Sequence, residues 1–71
     1  MKRTETEVIK NMCEHNLSIQ KVAQAMFMHR NAIVYHIERI KEKYGLNPKC
    51  YRDLKLLEEM MNSEMERENN E

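Results

Sequence analysis

Long hydrophobic runs are missing from this 71-residue chain, and glycine and proline are rare. Its longest apolar stretches have four residues, far short of the roughly 20 that cross a membrane. The first residues lead into no apolar stretch of the kind that marks a secretory signal. One glycine, one proline and no tryptophan favour helices over a sheet protein. We therefore expect one small helical domain and no membrane partner.

Residues with reactive or metal-binding side chains are also scarce. Cys13 and Cys50 lie far apart and form no CxxC pair, which predicts buried, reduced thiols in a cytoplasmic protein, with a disulfide between them as the open alternative. The histidines and cysteines lack the spacing of metal ligands. A chain of this length also has few residues with which to enclose a catalytic pocket. We expect no enzyme activity, no metal, no cofactor and no small-molecule ligand.

The charges balance overall but are unevenly placed. Twelve basic and twelve acidic residues give a net charge of zero, which argues against a polybasic tail. Residues 20–57 contain eight basic and three acidic residues, a net +5, whereas residues 58–71 contain six glutamates and one arginine, a net −5. We expect the folded domain to comprise residues 1–65 and an acidic, frayed tail to comprise residues 66–71.

The first half of the chain predicts two helices. Thr4 and Glu7 have the spacing of a capping box, so a first helix is expected over about residues 4–15. Ser18 is a good N-cap because its hydroxyl can accept a hydrogen bond from an exposed backbone N–H group. A short second helix is therefore expected over about residues 18–26.

The second half predicts two longer helices. Apolar residues at helical spacing indicate a third helix over about residues 30–44, and Gly45 is expected to end it in the left-handed conformation. Asn47 and Pro48 suit the N-cap and first position of a C-terminal helix over about residues 48–65.

The predicted core is formed by one apolar stripe from each helix. Phe27, in the turn between the second and third helices, is expected to plug this core. The stripes consist of Val8, Ile9, Met12, Cys13, Ile19, Val22, Ala23, Met26, Ile33, Ile37, Ile40, Tyr44, Tyr51 (or Cys50), Leu54, Leu57 (or Leu56), Met61 and Met65.

The order of the two central helices is typical of a helix-turn-helix. A short capped helix, a turn of three or four residues and a longer helix with a polar first turn follow one another over residues 17–45. In this motif the first helix braces and the second lies in the major groove of DNA. Many helical hairpins share the pattern. We predict an all-α domain of four or five helices that contains a helix-turn-helix.

Four residues of the predicted recognition helix have side chains suited to reading DNA. Arg30 can bind phosphate or guanine, and Asn31 can pair with adenine through two hydrogen bonds. Tyr35 points away from the predicted core, so we expect its ring to contact DNA. His36 lies about 60° from the buried stripe on the helical wheel, so partial burial and DNA contact are equal alternatives for it.

Four further residues are candidate contacts, and three of them have a second role. His29 either caps the third helix or touches a phosphate. Arg39 either reaches the DNA backbone or pairs with Glu42 within the helix. Ser18 is first of all an N-cap, and its neighbour Lys21 can help it to clamp a phosphate.

The stretch from Leu17 to Leu46 resembles a known family. It is similar to the C-terminal helix-turn-helix of transcription factors of the purine catabolism regulator (PucR) and sugar diacid regulator type, which are distantly similar to the Fis-like fold. The resemblance covers about residues 5–61 and implies a DNA-binding domain of a bacterial regulator. Its most specific matches are Phe27-x-His29-Arg30-Asn31, Tyr35, Ile37-x-Arg39-Ile40 and Gly45-Leu46.

Three positions depart from the pattern of this family. Threonine is common where Ala32 stands, and basic residues are common where Val34 and His36 stand. The resemblance thus implies a DNA-contact position at Ala32, but weaker non-specific binding, because each lost phosphate contact reduces counterion release. Family proteins normally carry an upstream sensor domain, so the chain is either a stand-alone regulator or a domain of a longer one.

Two functions are predicted from these residues. The first is sequence-specific binding of double-stranded DNA, with the C-terminal helix as a possible homodimer contact. The second is a protein-interaction module, an anti-regulator or adaptor, on a helix-turn-helix fold that has lost DNA contacts. Met28, Val34 and Met60 would then form an exposed apolar patch.

Overall fold

The computed structural model describes the backbone of residues 1–69 and the side chains of residues 1–64. Within that part the chain forms four helices and no strand, so the predicted all-α fold is confirmed with the smaller of the two expected helix numbers. The helices are α1 (Arg3–Glu14), α2 (Ile19–Ala25), α3 (Arg30–Tyr44) and α4 (Tyr51–Asn69).

Helix α1 is the centre of the domain. It packs against α2, α3 and α4, and α2 also packs against α3. Each helix contributes its apolar stripe to one shared core, which is what amphipathic helices of this length require for stability. The buried apolar side chains are Val8, Ile9, Met12, Val22, Ala23, Ile33, Ile37, Ile40, Leu54, Leu57 and Met61.

The start of α1 differs from the prediction. Lys2 is the N-cap, and the Glu5 carboxylate accepts a hydrogen bond from the Lys2 N–H at 2.9 Å. Thr4 lies inside the helix, so the expected capping box of Thr4 and Glu7 is wrong. Glu5 makes the capping hydrogen bond instead. It also accepts a hydrogen bond from Tyr44 on α3, a long-range contact that local spacing does not reveal.

Helix α4 begins at Tyr51, three residues later than expected. The Asn47 side chain accepts a hydrogen bond from the Lys49 N–H at 3.0 Å, and the Asn47 carbonyl accepts one from the Cys50 N–H at 2.9 Å. These bonds close a tight turn in which Pro48 is buried. The helix starts only afterwards, where the Cys50 carbonyl accepts a hydrogen bond from the Leu54 N–H.

The expected burial of Tyr51 and Cys50 is wrong. Tyr51 and Cys50 are exposed, because the buried stripe of α4 begins one turn later, at Leu54. Both cysteines are free thiols, and Cys13 is half-buried. The side chain of Met65 and those of the expected tail over residues 66–71 lie outside the described residues.

Phe27 is not part of the core, contrary to the prediction. Its side chain is 96% exposed and its φ is +54°. The Met28 N–H donates to the Ala23 carbonyl at 2.9 Å, and the Phe27 N–H donates to the Gln24 carbonyl at 3.3 Å. This pair of bonds is a Schellman ending, which places the residue after the C-cap in the left-handed region. The backbone of the turn therefore directs the Phe27 ring outward.

Replacing Phe27 by asparagine is expected to stabilise the domain by about 1 kcal/mol. A bulky residue in the left-handed region carries strain of about 1–2 kcal/mol, which asparagine largely avoids, and the exposed ring contributes little packing to lose. Equilibrium urea denaturation followed by circular dichroism measures the change. Tyr51→Asn, at another exposed aromatic residue, is the control and should give no such gain. A lower stability of Phe27→Asn would contradict the assigned backbone conformation.

Candidate nucleic-acid interface

His29, the N-cap residue, fixes the start of α3. The backbone of His29 is extended, and its Nδ1 accepts a hydrogen bond from the Asn31 N–H at 3.1 Å. Of the two roles considered for His29, the structure shows the capping role. At the other end, Gly45 ends the helix with φ +70°, as expected. The recognition helix is thus bounded by local hydrogen bonds at both ends.

The polar first turn of α3 is exposed, whereas its apolar stripe is buried. Arg30 and Asn31 are exposed, whereas Ile33, Ile37 and Ile40 are completely buried. A helix turns by about 100° per residue, so this division leaves one side of α3 available along its length. Helix α4, which packs against α1, leaves the Arg30 and Asn31 side chains accessible to solvent.

Further along α3, Tyr35 and Arg39 follow Asn31 on the side opposite the isoleucine stripe, and together with His36 they form a contiguous group. The rings of Tyr35 and His36 meet edge to face with their centroids 5.5 Å apart. The Arg39 guanidinium carbon lies 6.0 Å from the centroid of the Tyr35 ring. Tyr35 is 57% exposed, Arg39 is exposed and His36 is half-buried. The structure therefore brings together a cation and two aromatic rings about one and a half to two and a half turns beyond Arg30.

The remaining predicted positions lie on α2 or beside the core. The Ser18 hydroxyl accepts a hydrogen bond from the Lys21 N–H at 3.3 Å, so Ser18 is the N-cap of α2, and the Lys21 side chain is exposed. Ala32 and Val34 are half-buried on α3. Ser18 and Lys21 thus belong to a different helix from Arg30 and Asn31, and packing between α2 and α3 relates the two groups.

A cleft between α1 and α3 contains two residues that sequence reasoning missed. Lys2 and Thr4, from the start of α1, face Tyr35, His36 and Arg39 across a volume of about 280 Å³. No periodicity or spacing in the sequence relates these two segments of the chain. They meet only because α1 packs against α3. The only sequence signal was the basic pair Lys2-Arg3 ahead of the first helix.

Glu5 lies at the base of this cleft. Its side chain is nearly fully buried, and its Oε1 accepts hydrogen bonds from the Lys2 N–H at 2.9 Å and from the Tyr44 hydroxyl at 3.0 Å. The Lys43 ammonium lies 3.5 Å from the same oxygen. Burial by itself raises the pKa of the Glu5 carboxyl, but these bonds and the Lys43 charge outweigh it and hold the pKa below its ordinary value. Glu5 therefore stays ionised and ties α1 to the end of α3.

Other kinds of site receive less support. Among the described residues, no three histidine, cysteine or acidic side chains come close enough to hold a metal ion, and no helix is long and apolar enough to cross a membrane. A second cleft, of about 230 Å³, lies beside Cys13 and Tyr51. Burial and the neighbouring Glu58 carboxylate raise the pKa of the Cys13 thiol to about 11, so this thiol stays protonated at neutral pH.

Comparison with known proteins identifies the family. The model of the PucR C-terminal helix-turn-helix domain matches residues 6–62. The chain belongs to this family. The match to the PucR-type domain begins in α1 and ends in α4, and it includes all nine positions that were predicted to contact DNA. Lys2, Thr4 and Glu5 lie just before the matched range. Comparisons with curated proteins and with solved structures give no match.

Proposed function

We propose that this PucR-type domain binds double-stranded DNA sequence-specifically, as a small bacterial transcription regulator or the DNA-binding domain of one. The observation that carries the proposal is the division of α3 into a buried isoleucine stripe and an exposed polar first turn. A recognition helix needs this division, since one side anchors it to the domain while the other enters the major groove. Its place of action is then the cytoplasm, and its role is binding rather than catalysis.

Each contact follows from the chemistry of its side chain. We assign guanine or phosphate to Arg30 and adenine to Asn31, because both offer paired hydrogen-bonding groups in the first turn of α3. We assign the remaining side chains to the DNA backbone or to the wall of the major groove. Contacts there position the domain without reading bases. The full assigned set is Ser18, Lys21, His29, Arg30, Asn31, Ala32, Tyr35, His36 and Arg39.

The charge distribution supports the same function. The segment with net +5 covers nearly all of α2, α3 and the start of α4, whereas the acidic segment of residues 58–71 begins within α4. A basic surface near the reading helix attracts DNA, and the acidic end keeps the total charge at zero. The charge is thus polarised along the sequence.

The experiment that tests the function is a titration of random duplex DNA at 0.05 M and 0.2 M salt. Over this range each phosphate contact lowers the affinity by about 3.5-fold, so a domain with several contacts loses affinity steeply. Selection of bound sequences from a random pool then yields the preferred site. Absence of binding at the lower salt concentration would overturn the proposed function.

The alternative of a protein-interaction module depended on an apolar patch of Met28, Val34 and Met60. Met28 and Val34 are half-buried, and only Met60 is exposed. The three residues therefore do not provide the exposed surface on which that alternative depended. The same titration separates the two functions, since an interaction module binds DNA at neither salt concentration.

We further propose that two copies pair through α4. Leu56 and Met60, one turn apart, are 43% and 38% exposed and border an open groove beside Leu46. One helix-turn-helix reads only a few base pairs, and pairing raises the effective affinity for a two-part site. Sedimentation equilibrium of the wild-type chain should show a dimer. The Leu56→Glu variant should dimerise more weakly. A strict monomer at high protein concentration would contradict pairing.

A further inference from the structure

We propose that the cleft between the start of α1 and the outer side of α3 binds a phosphate of the DNA backbone, with Lys2 and Arg39 as its two cations. This inference rests on the proposed function and extends the interface to a segment outside the matched family range. It arises from the placement of Lys2 and Thr4 opposite Tyr35, His36 and Arg39 around one volume of about 280 Å³.

Both cations are placed to meet an anion. Lys2 and Arg39 are exposed, and the Arg39 guanidinium lies over the Tyr35 ring, which limits the conformations of its long side chain. The backbone at Lys2 is held on two sides, by its N–H bond to Glu5 and by the contact of the Met1 amino group with Glu64 at 2.9 Å. The Arg39 guanidinium, restrained over the Tyr35 ring, binds phosphate with less entropy loss than a fully mobile side chain, and the fixed backbone keeps Lys2 beside the cleft.

The acidic residue in the cleft does not oppose this assignment. Glu5 is only 7% exposed, and its Oε1 already accepts hydrogen bonds from the Lys2 N–H and the Tyr44 hydroxyl. Lys43, 3.5 Å away, offsets the carboxylate charge. The side chains at the open mouth of the cleft are therefore neutral or positive, while the negative charge stays at the base.

The cleft also lies where a flanking phosphate belongs. Arg39 follows Asn31 by eight residues, which is about 12 Å along the helix axis. The major groove is about 12 Å wide and is bordered by phosphates on both sides. When the first turn of α3 contacts bases, the Arg39 region thus lies near the edge of the groove. Lys2, across the cleft from Arg39, can then reach the same phosphate.

The test compares Lys2→Gln, Arg39→Gln and Lys10→Gln in the full chain. Loss of one phosphate contact is expected to weaken binding about eightfold at 0.1 M salt and about fourfold at 0.2 M salt, and to lower the salt slope by about 0.9. The selected site and random duplex DNA should be affected by the same factor, because a phosphate carries no sequence information. Lys10, exposed on α1 eight residues beyond Lys2, is the control and should leave affinity unchanged.

The outcomes separate this inference from the proposed function. If the wild-type chain binds DNA but Lys2→Gln matches the Lys10→Gln control, the cleft assignment is wrong and DNA binding stands. A Lys2→Gln loss confined to the selected site would also overturn the assignment, because it would indicate base reading. If the wild-type chain binds no DNA at low salt, the proposed function itself fails. Circular dichroism of each variant verifies that its helices are intact.

Discussion

Alanine at Arg30 or at Asn31 is expected to weaken binding to the selected DNA site by about 1–3 kcal/mol each, with a smaller effect on random DNA. Both side chains are exposed in the first turn of α3, where a recognition helix meets base edges. A paired hydrogen bond to guanine or adenine is worth about this much discrimination against the wrong base. Fluorescence anisotropy with the selected duplex and with single-base variants of it measures the loss and the relaxed specificity.

Matched controls for these two variants are available on α4. Arg52 and Asn62 are an arginine and an asparagine that are both exposed there. Arg52→Ala and Asn62→Ala should leave the specificity ratio unchanged. Unchanged affinity of both Arg30→Ala and Asn31→Ala would discard the assigned base contacts, even if the wild-type chain still binds DNA with a steep salt dependence.

Alanine at Ile37 is expected to cost about 2–5 kcal/mol of folding free energy. Ile37 is completely buried in the stripe of α3 that faces the other helices. A 71-residue domain has a total stability of about 4–11 kcal/mol, so this loss leaves little margin. Urea denaturation monitored by circular dichroism should show a lower midpoint or an unfolded chain.

The neighbouring residue Glu38 supplies the control for Ile37→Ala. Glu38 is exposed on the same turn, and Glu38→Ala should change stability by less than about 0.5 kcal/mol. Ile37→Val, which removes one methylene group, should cost about 0.5–1.5 kcal/mol. A cost below about 1 kcal/mol for Ile37→Ala would contradict the burial of this stripe.

The central helices were predictable because residues close in sequence determine where they begin and end. The Ser18 hydroxyl accepts a hydrogen bond from the Lys21 N–H at the start of α2. Gly45 ends α3 in the left-handed conformation. The same kind of reasoning failed at Asn47 and Pro48, which also suit a helix start. There the Asn47 side chain closes a turn instead, and Asp53 accepts a hydrogen bond from the Asn47 N–H at 3.0 Å.

The error at Phe27 has a different cause. Hydrophobicity predicted burial, yet the ending of α2 requires a left-handed residue at this position, and the backbone then turns the ring to solvent. The sequence contained a signal, because the turn has no glycine and some other residue had to adopt the left-handed conformation. Which residue adopts it depends on the exact end of α2, and helix ends are the least certain part of any sequence pattern.

For the interface, the sequence alone determined that Asn31 and Tyr35 lie opposite the isoleucine stripe of α3, because helical periodicity relates residues within one helix. Only the tertiary structure decided that Lys2 and Thr4 face Arg39 and that Glu5 joins Tyr44. These pairs are more than 30 residues apart in the chain. Their proximity depends on how α1 packs on α3, and no periodicity within a single helix encodes it.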